Sequence, residues 1–160
     1  MPNRITKRFA ELMKSGRKGL VGYLTAGDPD LAKSEQDMRT ALENGLDVLE
    51  MGIPFSDPTA AGPPIQEASC RALAAGMTVA AGIEMVARLR RDFDTPIVMF
   101  GYANPFFRYG YEKLCADAAS AGVDGLLIVD MPFEETTEIR PHARRACISL
   151  IPLIAPTTPP

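Results

Sequence analysis

The feature that most constrains this chain is an alternation: short apolar runs of strand length recur between longer segments whose apolar residues fall at helical spacing. That rhythm predicts parallel β/α units, because parallel neighbours need a crossover long enough to hold a helix. Ile5, Phe9, Leu12 and Met13 fall at i, i+4, i+7 and i+8 and predict an N-terminal helix that stops at Gly16. A first strand is expected over 19–25, then a turn at Gly27-Asp28-Pro29-Asp30 in which Asp30 caps the next helix. That helix buries Met38, Ala41 and Leu42 and ends at Asn44-Gly45, where glycine takes the left-handed conformation. A second strand over 47–52 leads into a proline- and glycine-rich loop over 53–64. Helical spacing resumes at Ile65 and again through Val79, Ile83, Val86, Leu89 and Phe93. A third strand is expected over 96–100, a helix around Tyr111, Leu114, Cys115 and Ala118 that ends at Ala121-Gly122, and a fourth strand over 124–130. Glu134 and Glu135 suit the positive end of a further helix, which Pro141 should kink or break. A fifth strand over 149–154 contains Pro152, which favours an edge position.

Asn44-Gly45-Leu46-Asp47 and Ala121-Gly122-Val123-Asp124 make a loose internal repeat, each joining a helix to a strand with similar chemistry. A barrel and a doubly wound sheet accommodate such a repeat equally. No GxGxxG or GxxxxGK[ST] is present, which counts against the nucleotide-binding forms of the second. At 160 residues the chain has the length of one domain, but it is short of the roughly 250 of a closed eight-unit barrel. The expected architecture is α/β: an incomplete (β/α)8 TIM-type barrel of about five parallel strands with an extra N-terminal helix. Such a sheet has open edges, so self-association through them is physically reasonable.

Composition excludes several function classes. A net charge of −3 gives no pull toward nucleic acid or an anionic membrane, and the tightest basic group, Arg88, Arg90 and Arg91, reads as a solvated helix end. No apolar run approaches the roughly 20 residues that span a bilayer. Met1-Pro2-Asn3-Arg4 runs straight into an amphipathic segment with no secretory apolar region. The three cysteines, Cys70, Cys115 and Cys147, are far apart and share no metal-ligand spacing, which points to a reduced, cytoplasmic setting. His142 is the single histidine, lies in a polar stretch, and builds no metal site.

Glu50 stands out chemically. It ends an apolar strand between Leu49 and Met51, at the end where β/α enzymes place their reacting groups. A carboxyl among apolar neighbours titrates high, which suits proton transfer near neutral pH. A glutamate that simply reaches solvent at a strand end fits the same position.

The segment from Leu49 to Gln66 begins Leu49-Glu50-Met51-Gly52-Ile53-Pro54-Phe55-Ser56-Asp57-Pro58 and closes Gly62-Pro63-Pro64-Ile65-Gln66. It resembles the L-E-x-G-[VI]-P-F-S-D-P-x-A-D-G-P-x-I-Q stretch of tryptophan synthase alpha subunits. Leu24-Thr25-Ala26-Gly27-Asp28-Pro29, Gly101-Tyr102-Ala103-Asn104-Pro105 and Asp130-Met131-Pro132-Phe133-Glu134-Glu135 are similar to three further family segments, in the family's order and over essentially the whole chain. The resemblance implies a lyase of tryptophan biosynthesis that cleaves indole-3-glycerol phosphate to indole and glyceraldehyde 3-phosphate. Glu50 would be its proton carrier, and Tyr23, Ile65, Phe100, Tyr102, Val129 and Leu153 would surround the substrate, although each is also a natural core residue. Pro54, Phe55, Asp57, Pro58 and Asn104 would touch a beta subunit, although PFSDP is also simply a stiff loop. The alpha-subunit reaction needs no metal or organic cofactor; pyridoxal phosphate would belong to the beta subunit only.

Two departures qualify the resemblance. Ala61 stands where the family has its second carboxylate, and Asp57, four residues away, faces the partner in the family and is a poor replacement. The family also continues for about three more strands, with a mobile loop and a phosphate cradle. The expectation is therefore weak or no activity for this chain alone. The alternative is a non-catalytic barrel fragment that binds a beta subunit or self-associates. A different phosphate-binding barrel of the same pathway is disfavoured by the PFSDP and YANP segments.

Overall fold

The apolar runs form five parallel strands, β1 (Val21–Thr25), β2 (Val48–Gly52), β3 (Ile97–Gly101), β4 (Gly125–Ile128) and β5 (Ser149–Leu150), hydrogen-bonded strictly in chain order. This computed structural model describes residues 3–156 and 158; Met1 and Pro2, part of the N-terminal stretch read above, lie outside them, as do Thr157, Pro159 and Pro160. The unbroken order decides between the two architectures left open by the sequence. A doubly wound sheet reverses its strand order at the middle, whereas a barrel adds each strand beside the last. The chain is the barrel type: a partial one of five strands, crossed by the helices α1 (Arg4–Ser15), α2 (Leu31–Glu43), α3 (Pro63–Ala74), α4 (Val79–Leu89), α5 (Ala103–Tyr109), α6 (Tyr111–Ala121) and α7 (Arg140–Arg145).

Both sheet faces are covered. Leu49, Met51, Ile97, Met99, Leu126 and Ile128 point outward into a large cluster with Met38, Leu42, Met85, Val86, Leu89, Leu114 and Ala118 of the helices. The alternate residues Val48, Val98 and Leu127 point inward and pack with Ile5, Phe100, Val129 and Ile151. Ile5 is thus the one residue of α1 in the barrel interior, and it sets that helix across the N-terminal ends of the strands. Of the residues expected to share its buried face, Leu12 is buried, whereas Phe9 and Met13 are 45% and 82% exposed.

Charge fixes the α1 plug. Asp47 and Asp124, the aspartates of the internal repeat, are buried immediately before β2 and β4. Asp47 accepts the Leu20 N–H at 2.7 Å and pairs with Arg8. Asp124 accepts the Ile97 N–H at 2.9 Å, Arg90 at 2.9 Å and Arg4 at 3.2 Å. Each therefore ties the start of the preceding strand, where a backbone N–H would otherwise lack a partner, to α1. Arg90 is not the solvated helix end expected from sequence. It is largely withdrawn from solvent and also donates to the carbonyls of Phe93, Thr95 and Gly122, joining the end of α4 to the starts of β3 and β4.

The Leu20 N–H, with Arg8, holds the Asp47 carboxyl below the usual carboxylate range against the opposing effect of burial. A depressed folded value means stability that is present above the unfolded value and is lost as pH falls through the folded one. Asp47→Asn should accordingly flatten the acid limb of the stability profile, followed by urea midpoints across the acid range.

Four details extend or shift the expectations. Residues 103–109, between the expected third strand and the helix around Tyr111, form α5: Pro105 falls in the first turn, where no N–H bond is required, and the Ala103 N–H is taken by Asp130 at 2.7 Å. The kinked helix after β4 is two pieces, a 3-10 turn at Phe133–Thr137 and α7, whose first turn holds Pro141. The fifth strand pairs only at Ser149–Leu150; as expected it is the edge, and Pro152 has no N–H to extend the ladder. The long loop ends at Gly62, because Pro63 and Pro64 open α3. Cys147 closes α7 at φ 57°, a conformation that disfavours any side chain. Cys147→Gly should raise stability by about 0.5–1 kcal/mol in a denaturant melt.

Candidate functional site

Strand alternation decides where Glu50 points. Leu49 and Met51 are fully buried against helices, so Glu50 between them faces inward, paired in register with Tyr23 on β1 and Val98 on β3. It stands two residues from the C-terminal end of β2, above the inward cluster of Val48, Val98 and Leu127. Half-buried, with only desolvation acting on it, its carboxyl is pushed above the usual glutamate value. Of the two readings of this glutamate, a group held among apolar neighbours and a solvated strand end, the surroundings match the first.

The neighbours build an aromatic wall. Tyr23 and Phe100 meet edge to face, with ring centroids 5.3 Å apart. The Tyr23 hydroxyl lies against Gly52, where any side chain would collide with it; here the glycine is required by close approach. Burial, with Tyr102 and Glu50 adding to it, raises the Tyr23 phenol above its ordinary value and keeps it protonated. Above them runs the loop over 53–62. Tyr102, just after β3, holds it in two ways: its hydroxyl accepts the Ala60 N–H at 3.0 Å, and its ring packs on Phe55 at 5.3 Å. Ala61 follows, its N–H donating to the Pro58 carbonyl at 3.0 Å and its carbonyl accepting the Gln66 amide at 2.8 Å. Tyr102→Phe should therefore speed hydrogen exchange of the Ala60 amide by about five- to tenfold with little change at the strands, as seen by residue-resolved NMR.

These residues enclose a cavity of about 240 Å³ lined by Tyr23, Glu50, Pro58, Ala61, Ile65, Phe100, Tyr102 and Val129, with Ile53, Ala60, Ser69 and Gly101 completing it. Whole ligands usually occupy about 300–1,000 Å³, so this space suits one flat ring system rather than a complete phosphorylated substrate. A second hollow of about 300 Å³ lies at the opposite end, beside Arg4, Arg8 and Asp94. Its two arginines are already paired with Asp94, Asp124 and Asp47.

Five of the six residues expected around a substrate thus meet at one cavity together with Glu50 and Ala61. Leu153 does not: it follows the point where β5 stops pairing and is 57% exposed. Of the expected partner-facing residues, Phe55 and Pro58 are half-buried, Asp57 and Asn104 are exposed, and Pro54 is buried, so its ring offers no surface. Asp57 accepts the Ser56 hydroxyl at 2.6 Å and does not border the cavity, so it takes no part beside Glu50. Ser69 was missed from sequence, although it falls one helical step beyond Ile65 on the same face of α3. Among the described residues no group of histidine, cysteine, aspartate or glutamate side chains is arranged to hold a metal ion, and no single helix is long and apolar enough to cross a membrane.

Comparison with known proteins gives a consistent result. The family model described as tryptophan synthase alpha chain matches residues 9–160. The tryptophan synthase alpha chain of Desulfosudis oleivorans is 50% identical over 157 residues, which cover 98% of this chain and 59% of that one. The crystal structure of tryptophan synthase subunit alpha from Legionella pneumophila superposes with a TM-score of 0.96 at 39% identity, covering 99% of this chain and 61% of that one. A tryptophan synthase structure from M. tuberculosis superposes at 0.94 with 31% identity, covering 99% and 64%. The chain spans about 59% of the length of the first of these relatives.

Proposed function

The chain belongs to the tryptophan synthase alpha chain family, and on that premise we propose that its cavity receives the indole end of indole-3-glycerol phosphate for retro-aldol cleavage to indole and glyceraldehyde 3-phosphate. The observation that carries this reading is the half-buried Glu50 carboxyl, raised by desolvation and facing an aromatic-walled cavity at the C-terminal end of the strands. A carboxyl that stays protonated to higher pH is suited to act first as an acid. Glu50 delivers its proton to the ring carbon that bears the glycerol chain, which places positive charge on the ring. The resulting carboxylate then takes the proton of the adjacent hydroxyl as the carbon–carbon bond breaks. The electron pair returns to the ring, a carbonyl forms on the departing glyceraldehyde phosphate, and Glu50 ends protonated as it began.

Ala61 borders the same cavity and offers only a methyl group toward the positive ring. Losing one contact made in the transition state costs about 10²–10³ in rate, so the proposed activity is weak. No metal or organic cofactor of this chain enters the scheme. The same proposal has the protein in the cytoplasm, where its unpaired Cys70, Cys115 and Cys147 would stay reduced. It also assigns Phe55, Asp57, Pro58 and Asn104 to contact with a beta subunit.

The test is indole release from indole-3-glycerol phosphate by this chain joined to the remaining C-terminal share of the Desulfosudis oleivorans relative. We expect slow release that Glu50→Gln lowers by at least about 10². Equal release by both forms would overturn the assignment of Glu50.

A second reading, association of the chain with itself, is favoured by Leu20 and Val21 at the start of β1 and Leu153 and Ile154 beyond β5, which are exposed at the two edge strands of the sheet. Sedimentation should then show a mass that rises with concentration; a constant monomer mass would argue against it.

A further inference from the structure

α3 turns a stripe toward the cavity: Ile65 and Ser69, one helical step apart, with Ala61 just ahead of the first turn. Ile65 remains 37% exposed at the rim, whereas Ser69 is only 4% exposed. A hydroxyl inside a helix commonly bonds back to the carbonyl four residues earlier, as Thr40 does to Gln36 at 3.0 Å. Among the described residues the Ser69 hydroxyl makes no such bond and has no other side-chain or backbone partner, yet no side-chain polar atom fully sealed from solvent lacks one. The Ser69 oxygen is therefore one that the cavity itself reaches. The other polar side chains there have other partners or roles: Tyr102 takes the Ala60 N–H, the Tyr23 hydroxyl is hydrogen-bonded with Thr25, and Glu50 is the proton carrier. With Ala61 on the loop, the Ser69 hydroxyl is a neutral side-chain acceptor left to a ring N–H among the described residues lining the cavity.

We propose that Ser69 is a ligand-binding residue of this cavity: its hydroxyl accepts the ring N–H of an indole-type heterocycle and selects such rings over isosteres that lack the donor. The proposal rests on the reading that the cavity receives an indole ring. A buried polar group that finds its partner only in the ligand discriminates against a ligand unable to supply it.

The experiment titrates indole and benzofuran, which has a ring oxygen in place of the N–H, into the chain and follows the Tyr23 and Phe100 ring signals by NMR. The unmodified chain should favour indole by about fivefold. Ser69→Ala, which introduces the best helix former, should abolish that preference while leaving benzofuran affinity unchanged, and Ser69→Thr should restore it. Two outcomes overturn the role of Ser69 while leaving the cavity reading intact: a preference that survives in Ser69→Ala, or an equal weakening of both ligands. If neither ligand moves the ring signals of the unmodified chain, the cavity reading fails and the inference fails with it.

Discussion

Asp124→Ala is expected to lower stability by about 3–5 kcal/mol, the cost of breaking a buried ion pair from one side. One carboxylate that is 3% exposed serves three donors: the Ile97 N–H at the start of β3, Arg90 at the end of α4 and Arg4 on the plug helix. Removing it strands a guanidinium that is itself only 12% exposed, as well as a buried backbone N–H. Domains of this size have about 5–15 kcal/mol in hand, so the loss should leave a chain that is partly unfolded at 37 °C. Asp124→Asn keeps the shape and one acceptor for Ile97 and should cost less than the alanine variant. Urea unfolding of the two variants beside the parent measures the difference. A change below about 1 kcal/mol for Asp124→Ala would mean that the network under the barrel carries little of its stability.

Ala61→Asp, made in a chain joined to the C-terminal share of a relative, is expected to raise indole release by about 10²–10³. The backbone at this position is already held, by the Pro58 carbonyl on one side and the Gln66 amide on the other, and Tyr102 pins the preceding residue. A carboxylate introduced there inherits a fixed loop at the edge of the cavity instead of having to order one. It would also raise the Glu50 value further, because two carboxyls near one cavity resist joint ionisation, and the alkaline limb of the pH–rate profile, where the protonated form of Glu50 is lost, should move upward with it. Unchanged indole release would mean that residue 61 is not the second group of the site.

Much of this was legible in the sequence because parallel β/α units write their faces directly. Leu49 and Met51 beside Glu50, and the motifs from Pro54 to Gln66, mark the carboxyl and its loop in the sequence itself. Periodicity was a weaker guide where its physical cause lies elsewhere in the chain. Phe9 and Met13 have the spacing of a buried face but stay exposed, and Leu153 lies beyond a ladder that stops after two residues. Arg90 looked like a surface cation because nothing local reveals that Asp124, distant in sequence, waits for it. The repeat containing Asp47 and Asp124 was visible, but its purpose was not: a carboxylate that closes the preceding strand shows itself only once Leu20 and Ile97 are in place. Ser69 carried the correct helical offset from Ile65, and one more turn of the same reasoning would have found it.

The account depends most on the state of the Glu50 carboxyl, and NMR titration of its side-chain carbon reads that state directly in the chain as it stands. The midpoint should lie above that of an ordinary glutamate, and it should rise further when indole fills the cavity and displaces the remaining water. A midpoint at the ordinary value that indole leaves unmoved would contradict the account, because Glu50 would then be a solvated strand-end carboxylate with no part in the cavity.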